Sequence, residues 1–128
     1  MTHEGHCWLH EYHVEKQKGE NQKSFASGSD GWLANVFDGL LLIKRFAKVP
    51  LEREAPGEAE IEIYAHGDAA HPYIEVEQQG NYQTLTPGQS SSWTVQWDLL
   101  PAPAELIKPF QLAKLAAWIH STINAFER

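Results

Sequence analysis

The sequence predicts a mainly β fold, an antiparallel β-sandwich with a C-terminal amphipathic α-helix packed on it. Three observations carry that prediction. Two adjacent stretches, Ala59-Glu60-Ile61-Glu62-Ile63-Tyr64 and Tyr73-Ile74-Glu75-Val76-Glu77, alternate apolar and acidic residues with the period of a strand. An Asp38-Gly39 pair separates two apolar runs, the pattern of a hairpin with a two-residue type I′ loop. Beyond Pro101-Ala102-Pro103 the apolar spacing becomes helical, with Leu112, Leu115, Ala116, Ile119, Ile123 and Phe126 on one stripe.

Taken in order, residues 1–11 read as a flexible leader. His3, His6, His10 and His13 have a spacing that would line one helix face and could chelate Zn²⁺ or Ni²⁺. Residues 12–17 alternate like a first strand, however, which takes His13 off that face. No cysteine pair or H-E-x-x-H motif supports a site, so no metal and no cofactor is assigned. Residues 18–30 are polar and rich in Gly and Ser, and read as a loop.

The hairpin follows, with strands at 32–37 and 40–46. Its tight loop places Val36 opposite Leu41, Ala34 opposite Ile43 and Trp32 opposite Arg45. Both faces are largely apolar, which predicts burial on both sides. Trp32 facing Arg45 suits a cation–π pair worth about 0.5 to 2 kcal/mol. Residues 47–57, rich in Pro and Glu, read as a connection.

The two acidic strands are expected to pair antiparallel about a 66–71 loop. One register sets Ile63 opposite Ile74, Ile61 opposite Val76 and Tyr64 opposite Tyr73, with Glu62 opposite Glu75 and Glu60 opposite Glu77. Like charges opposed in this way are unfavourable. Four carboxylates on one face therefore call for solvent, basic neighbours, a cation or a polar ligand.

Stretches 82–86 and 92–97 flank Thr86-Pro87-Gly88-Gln89, a type II turn pattern. In the second of them Trp93, Val95 and Trp97 share a face that belongs in a core. The closing helix, with Pro109 in its first turn, spans about four to five turns. Trp118 falls off its main stripe and offers a second apolar contact.

Composition bounds the rest. The 128 residues suit a single domain, with leader 1–11, sandwich 12–98 and helix 104–128. A net charge of −7 and no basic cluster argue against nucleic acid or an anionic membrane as partner. Cys7 is the one cysteine, so no intrachain disulfide forms and a reducing compartment is expected. The N-terminus lacks a signal-peptide pattern, and the apolar run at 40–43 is too short to span a bilayer. A cytoplasmic location is the expectation. Nucleophilic catalysis has little support: Cys7 has no flanking base, Ser90-Ser91-Ser92 forms no nucleophile elbow, and no Gly-rich phosphate loop is present.

The order Gly31-Trp32-Leu33-Ala34, Leu42-Ile43-Lys44-Arg45-Phe46, Ile61-Glu62-Ile63-Tyr64, Tyr73-Ile74-Glu75-Val76-Glu77 and Leu85-Thr86-Pro87-Gly88 resembles the C-terminal part of galactose-mutarotase-like (aldose 1-epimerase-like) proteins. An uncharacterised bacterial branch of that β-supersandwich superfamily is the nearest in pattern. The resemblance, over roughly residues 24–98, implies half of a supersandwich with a sugar-binding concave sheet face. It also implies a glutamate base at the anomeric hydroxyl, for which Glu77, followed by Gln78, is the matching position. The histidine acid of such enzymes lies in the half of the pattern this chain lacks, and the C-terminal helix is outside the shared pattern.

Three functions stay open. The first is a carbohydrate- or polar-ligand-binding module using Glu60, Glu62, Tyr64, Tyr73, Glu75, Glu77 and Gln78. Tyrosines there stack on sugars and supply hydroxyls. The second is a vestigial or oligomer-dependent epimerase with Glu77 as catalytic base, which a pocket and a nearby histidine would favour. The third is a structural or interaction domain with a merely solvated acidic face, which a flat, open surface would favour; a Ca²⁺-type oxygen site is a variant of the ligand reading. Unpaired strand edges, and a helix that covers only part of a sheet, lead to the further expectation of a homodimer.

Overall fold

Asp38 and Gly39 take φ values of 48° and 76°, the left-handed pair a type I′ loop requires. The chain doubles back there in the computed structural model, which describes residues 2–3, 6–7, 20–28, 30–68, 70–107 and 111–126. Strands β4 (Trp32–Phe37) and β5 (Leu40–Phe46) pair with Val36 opposite Leu41, Ala34 opposite Ile43 and Trp32 opposite Arg45, the register the loop dictates. Gly39→Val is expected to destabilise the protein by more than about 1 kcal/mol in denaturant melts, because a β-branched residue resists positive φ. A change near zero would remove the loop from the determinants of this register.

β5 is the centre of the larger sheet. Its other edge pairs with β8 (Val95–Pro101), giving the order β4-β5-β8. A smaller sheet has the order β3-β6-β7, from Gln22–Ala26, Ile61–Ala65 and Ile74–Gln78. β1 (Thr2–His3) and β2 (His6–Cys7) form a separate antiparallel pair with His3 and His6 at partner positions of the register, so they belong to strands and not to a helix. His10, His13 and the strand expected at 12–17 lie outside the described residues.

Two apolar clusters organise the layers. Leu33 and Phe46 of the larger sheet meet Ile61 of the smaller one, joined by Ala26, Ile63, Val76, Trp93 and Val95. On the opposite face, Leu41 and Ile43 meet Leu115, Ile119 and Ile123 of helix α2 (Leu112–Phe126), with Trp32 and Trp118 alongside. The sheets are thus packed together as a sandwich, and the C-terminal helix covers the back of the larger one. A short helix α1 (Ala104–Ile107) precedes α2, and Pro109 lies between them outside the described residues. Helical spacing explains the docking, since Leu115, Ile119 and Ile123 recur every four residues on one side.

Four expectations change. Residues 22–26 are a strand and not loop: β3 is a polar edge strand, and edge position removes the need for an apolar pattern. Stretch 82–86 is exposed loop, although Gly88 (φ 88°) and a Gln89 N–H to Thr86 O bond of 3.0 Å make the turn expected there. The last strand begins at Val95, and Trp97 is 63% exposed instead of core. The hairpin is covered on its helix side but only partly on the other, where Phe37 is 70% exposed.

The acidic strands are also shifted by two residues from the simplest register. Ile63 faces Val76, Glu62 faces Glu77, Tyr64 faces Glu75 and Ile61 faces Gln78. Pro72 has no N–H for a ladder, so the connection extends past it, braced by Asp68, whose Oδ1 accepts from Ala70 N–H at 2.9 Å. A shift of two keeps the side chains within β6 and β7 on their expected faces, whereas Glu60, just before β6, turns inward. The shift also leaves one directly opposed Glu pair instead of two.

Candidate functional site

The outer face of the smaller sheet gathers most of the chemistry. Pairing sets three rows across it: Phe25, Glu62 and Glu77; then Lys23, Tyr64 and Glu75; then, where His66 N–H donates to Tyr73 O at 3.0 Å, His66 and Tyr73. Alternation in β6 and β7 puts acidic and aromatic residues outward because Ile61, Ala65 and Val76 are needed on the inner side.

At one end the face is aromatic. The His66 and Tyr73 rings stack with centroids 4.6 Å apart, and Tyr64 lies 6.0 Å from Tyr73. Tyr64 Oη is 3.4 Å from His66 Nδ1. Partial burial, then the neighbouring Tyr64 and Glu75, raise the Tyr73 hydroxyl above its ordinary value.

At the other end the face is acidic. Glu62 is buried and its Oε1 is 2.5 Å from Lys23 Nζ, the cation that answers it. That bond to Glu62 in turn raises the Lys23 amine. Glu75 and Glu77 are exposed. Desolvation, then Glu62 and Glu75 nearby, push the Glu77 carboxyl above the usual carboxylate value, with Lys23 opposing.

Five of the seven residues named from the sequence, Glu62, Tyr64, Tyr73, Glu75 and Glu77, are therefore brought together. Glu60 is not on the open face. It is 2% exposed, and its Oε1 accepts from Val49 N–H at 2.6 Å, while Gly28 N–H also bonds the carboxylate. Gln78 faces Ile61 on the inner side, where its Oε1 is buried without a hydrogen-bond partner. Two members were missed. His66 continues the even-numbered alternation of Glu60, Glu62 and Tyr64, a signal that a loop at 66–71 hides. Lys23 went unseen because its strand did.

Tyr73, Glu75 and Glu77 are exposed on this surface, whereas Glu62 is buried. Along the strand, Glu77 and His66 are two rows apart, about 13 Å, so they do not form an acid–base pair on one substrate atom. Among the described residues, no group of three His, Cys, Asp or Glu is placed to hold a metal ion. Arg45, opposite Trp32 as expected, bonds Asp98 Oδ2 at 2.9 Å and lies 5.1 Å over the Phe126 ring, while Trp32 meets His120 edge-on at 5.2 Å. This is an anchor for α2 and not part of the site. No helix among the described residues is long and apolar enough to cross a membrane.

No curated protein and no solved structure matches the chain. A family described as a domain of unknown function, DUF4380, matches residues 1–100, a span that takes in the whole smaller sheet and stops short of both helices. On the strength of that match, which covers most of its length, the chain belongs to the DUF4380 family.

Proposed function

We propose that the outer face of β3-β6-β7 is a shallow binding surface for a polar ligand of carbohydrate type. Tyr64, His66 and Tyr73 form the stacking platform, and Glu75 and Glu77 accept hydrogen bonds from ligand hydroxyls. The stacked His66–Tyr73 pair beside two exposed carboxylates carries this reading, since sugars offer an apolar ring face to aromatics and hydroxyls to acceptors. The two-row gap between Glu77 and His66 favours binding over turnover, since no acid and base meet at one substrate atom.

A monosaccharide panel read by thermal shift and calorimetry tests it. One or more sugars should raise the melting midpoint, and Tyr73→Ala and Glu75→Gln should each weaken binding by about tenfold, or 1.4 kcal/mol. Absence of a shift across the panel at millimolar sugar would sink the reading. A second reading, an epimerase with Glu77 as base, has the raised Glu77 carboxyl in its favour, because a base works best with a pKa nearer neutrality. It depends on an acid delivered by assembly with another chain. Polarimetry of freshly dissolved sugar separates the two: turnover abolished by Glu77→Gln supports the enzyme, and binding without turnover supports the module.

A further inference from the structure

The larger sheet is wider than the smaller sheet that covers it. On its inner face the pairing gives rows Phe37, Leu40, Pro101; Asn35, Leu42, Leu99; and Leu33, Lys44, Trp97. Leu33 and Lys44 are buried, but Phe37, Leu40, Leu99 and Trp97 are 70%, 45%, 63% and 63% exposed. Those four exposed side chains present roughly 500 Å² of apolar surface, near the upper end of what a monomer shows, and the one charge in the three rows, Lys44, is buried.

That floor ends against a strand edge. The Gln79 N–H to Glu60 O and His66 N–H to Tyr73 O bonds fix which pairs of the β6–β7 ladder are hydrogen-bonded. By alternation Ile74, Val76 and Gln78 then point their N–H and C=O groups away from β6. β7 is the last strand of its sheet among the described residues. Lys44 joins edge to floor: its Nζ donates to Val76 O at 2.5 Å and sits 4.5 Å over the Trp97 ring. The unpartnered Gln78 Oε1 lies on the same strand.

Charge selects what fits. Glu75 and Glu77 stand on the solvent side of β7; of the cations near Glu77, Lys23 lies across the sheet on β3, and Lys44 is engaged with the Val76 carbonyl. A strand laid beside β7 would set its outward side chains next to those carboxylates, where Lys or Arg is favoured. The β7 edge of a second copy would bring Glu against Glu instead. We propose that this step is the docking site for an extended segment of a partner protein that alternates apolar and basic residues, added as a fourth strand beside β7. Main-chain bonds to Ile74, Gln78 and the N–H of Val76, whose carbonyl accepts from Lys44, would hold it, and its apolar side chains would cover Trp97 and Leu99.

The test uses a labelled synthetic peptide of about eight residues, one strand length, alternating valine and lysine. A peptide of the same composition in two blocks serves as control, with fluorescence anisotropy as readout. The alternating peptide should bind at least about tenfold more tightly than the block peptide. Ile74→Pro, which removes an outward N–H that edge strands can spare, should weaken binding about as much. So should Leu99→Ser on the exposed floor, with the melting midpoints of both variants close to wild type. Equal binding of the two peptides would mean charge attraction alone and overturn the proposal, as would unchanged binding by Ile74→Pro. Light scattering supplies the last arm: a particle of twice the 14.5 kDa chain mass that Leu99→Ser returns to one chain assigns the step to a second copy and overturns it too.

Discussion

Glu60→Ala is expected to destabilise the protein by about 3 kcal/mol, because it strips the acceptor from two buried backbone donors, each costing about 1–3 kcal/mol when left unmet. Those donors are Val49 N–H and Gly28 N–H, and the carboxylate between them is nearly inaccessible to water. The residue joins three segments: the end of β3, the connection after β5, and the entry to β6. Gly28 is part of the same arrangement, since a Cβ there would collide with Glu60 Oε2. Denaturant melts measure the loss, and a change under about 1 kcal/mol would show that water replaces the carboxylate without penalty.

The same group gives a pH signature. Burial raises the Glu60 carboxyl above its usual value near 4.5, with the backbone bonds only partly opposing. A raised carboxyl means that the folded state holds its proton longer than the unfolded state. Its stability contribution is therefore complete below about pH 4.5 and is lost as pH rises through the folded value. Melting midpoints of wild type and Glu60→Gln should diverge in favour of the variant as pH rises from 4.5 to 7.

Leu115→Ala should cost about 3 kcal/mol, in the range found for fully buried leucines that leave a cavity. Leu115 is 0% exposed and touches the centre of the cluster that holds α2 to β5. The helix lies beyond the residues matched by the family, so this variant asks whether it is an integral layer. Near-UV circular dichroism from Trp32 and Trp118 should weaken with it. Stability within about 1 kcal/mol of wild type would mean that the sandwich stands without its helical cover.

The parts legible in the sequence are those whose cause is local. Asp38-Gly39 names its loop type, and loop type sets the β4–β5 register. Face assignment within β6 and β7 is indifferent to the two-residue shift in register, because an even shift preserves parity. Register itself depended on Pro72 and the Asp68 brace, features of a longer loop that alternation does not encode. β3 has no periodic signature because the residues on its inner parity, Gln22, Ser24 and Ala26, are polar or small. Trp97 was misplaced for another reason: an apolar stripe states a preference for burial, but the width of the covering sheet decides whether it is met. In the site, Glu62, Tyr64, Tyr73, Glu75 and Glu77 followed from parity alone. Glu60 did not, since the chain bends at that position and its carboxylate turns toward backbone donors.

The two-residue loop between β4 and β5 also sets an order of events. Its strands meet across the shortest possible connection, whereas β5 must reach β8 over an intervening stretch that separates Arg45 from Asp98 by 53 positions. Closing the longer loop carries the larger entropic penalty, so the hairpin belongs to the rate-limiting nucleus and the outer layers assemble on it. In stopped-flow chevrons, Gly39→Val should therefore lower the refolding arm, while Leu115→Ala should chiefly raise the unfolding arm. An unchanged refolding arm with a raised unfolding arm for the glycine variant would place the nucleus elsewhere. The Asp38-Gly39 loop thus governs how fast the protein reaches its native state, and the helix governs how long it remains there.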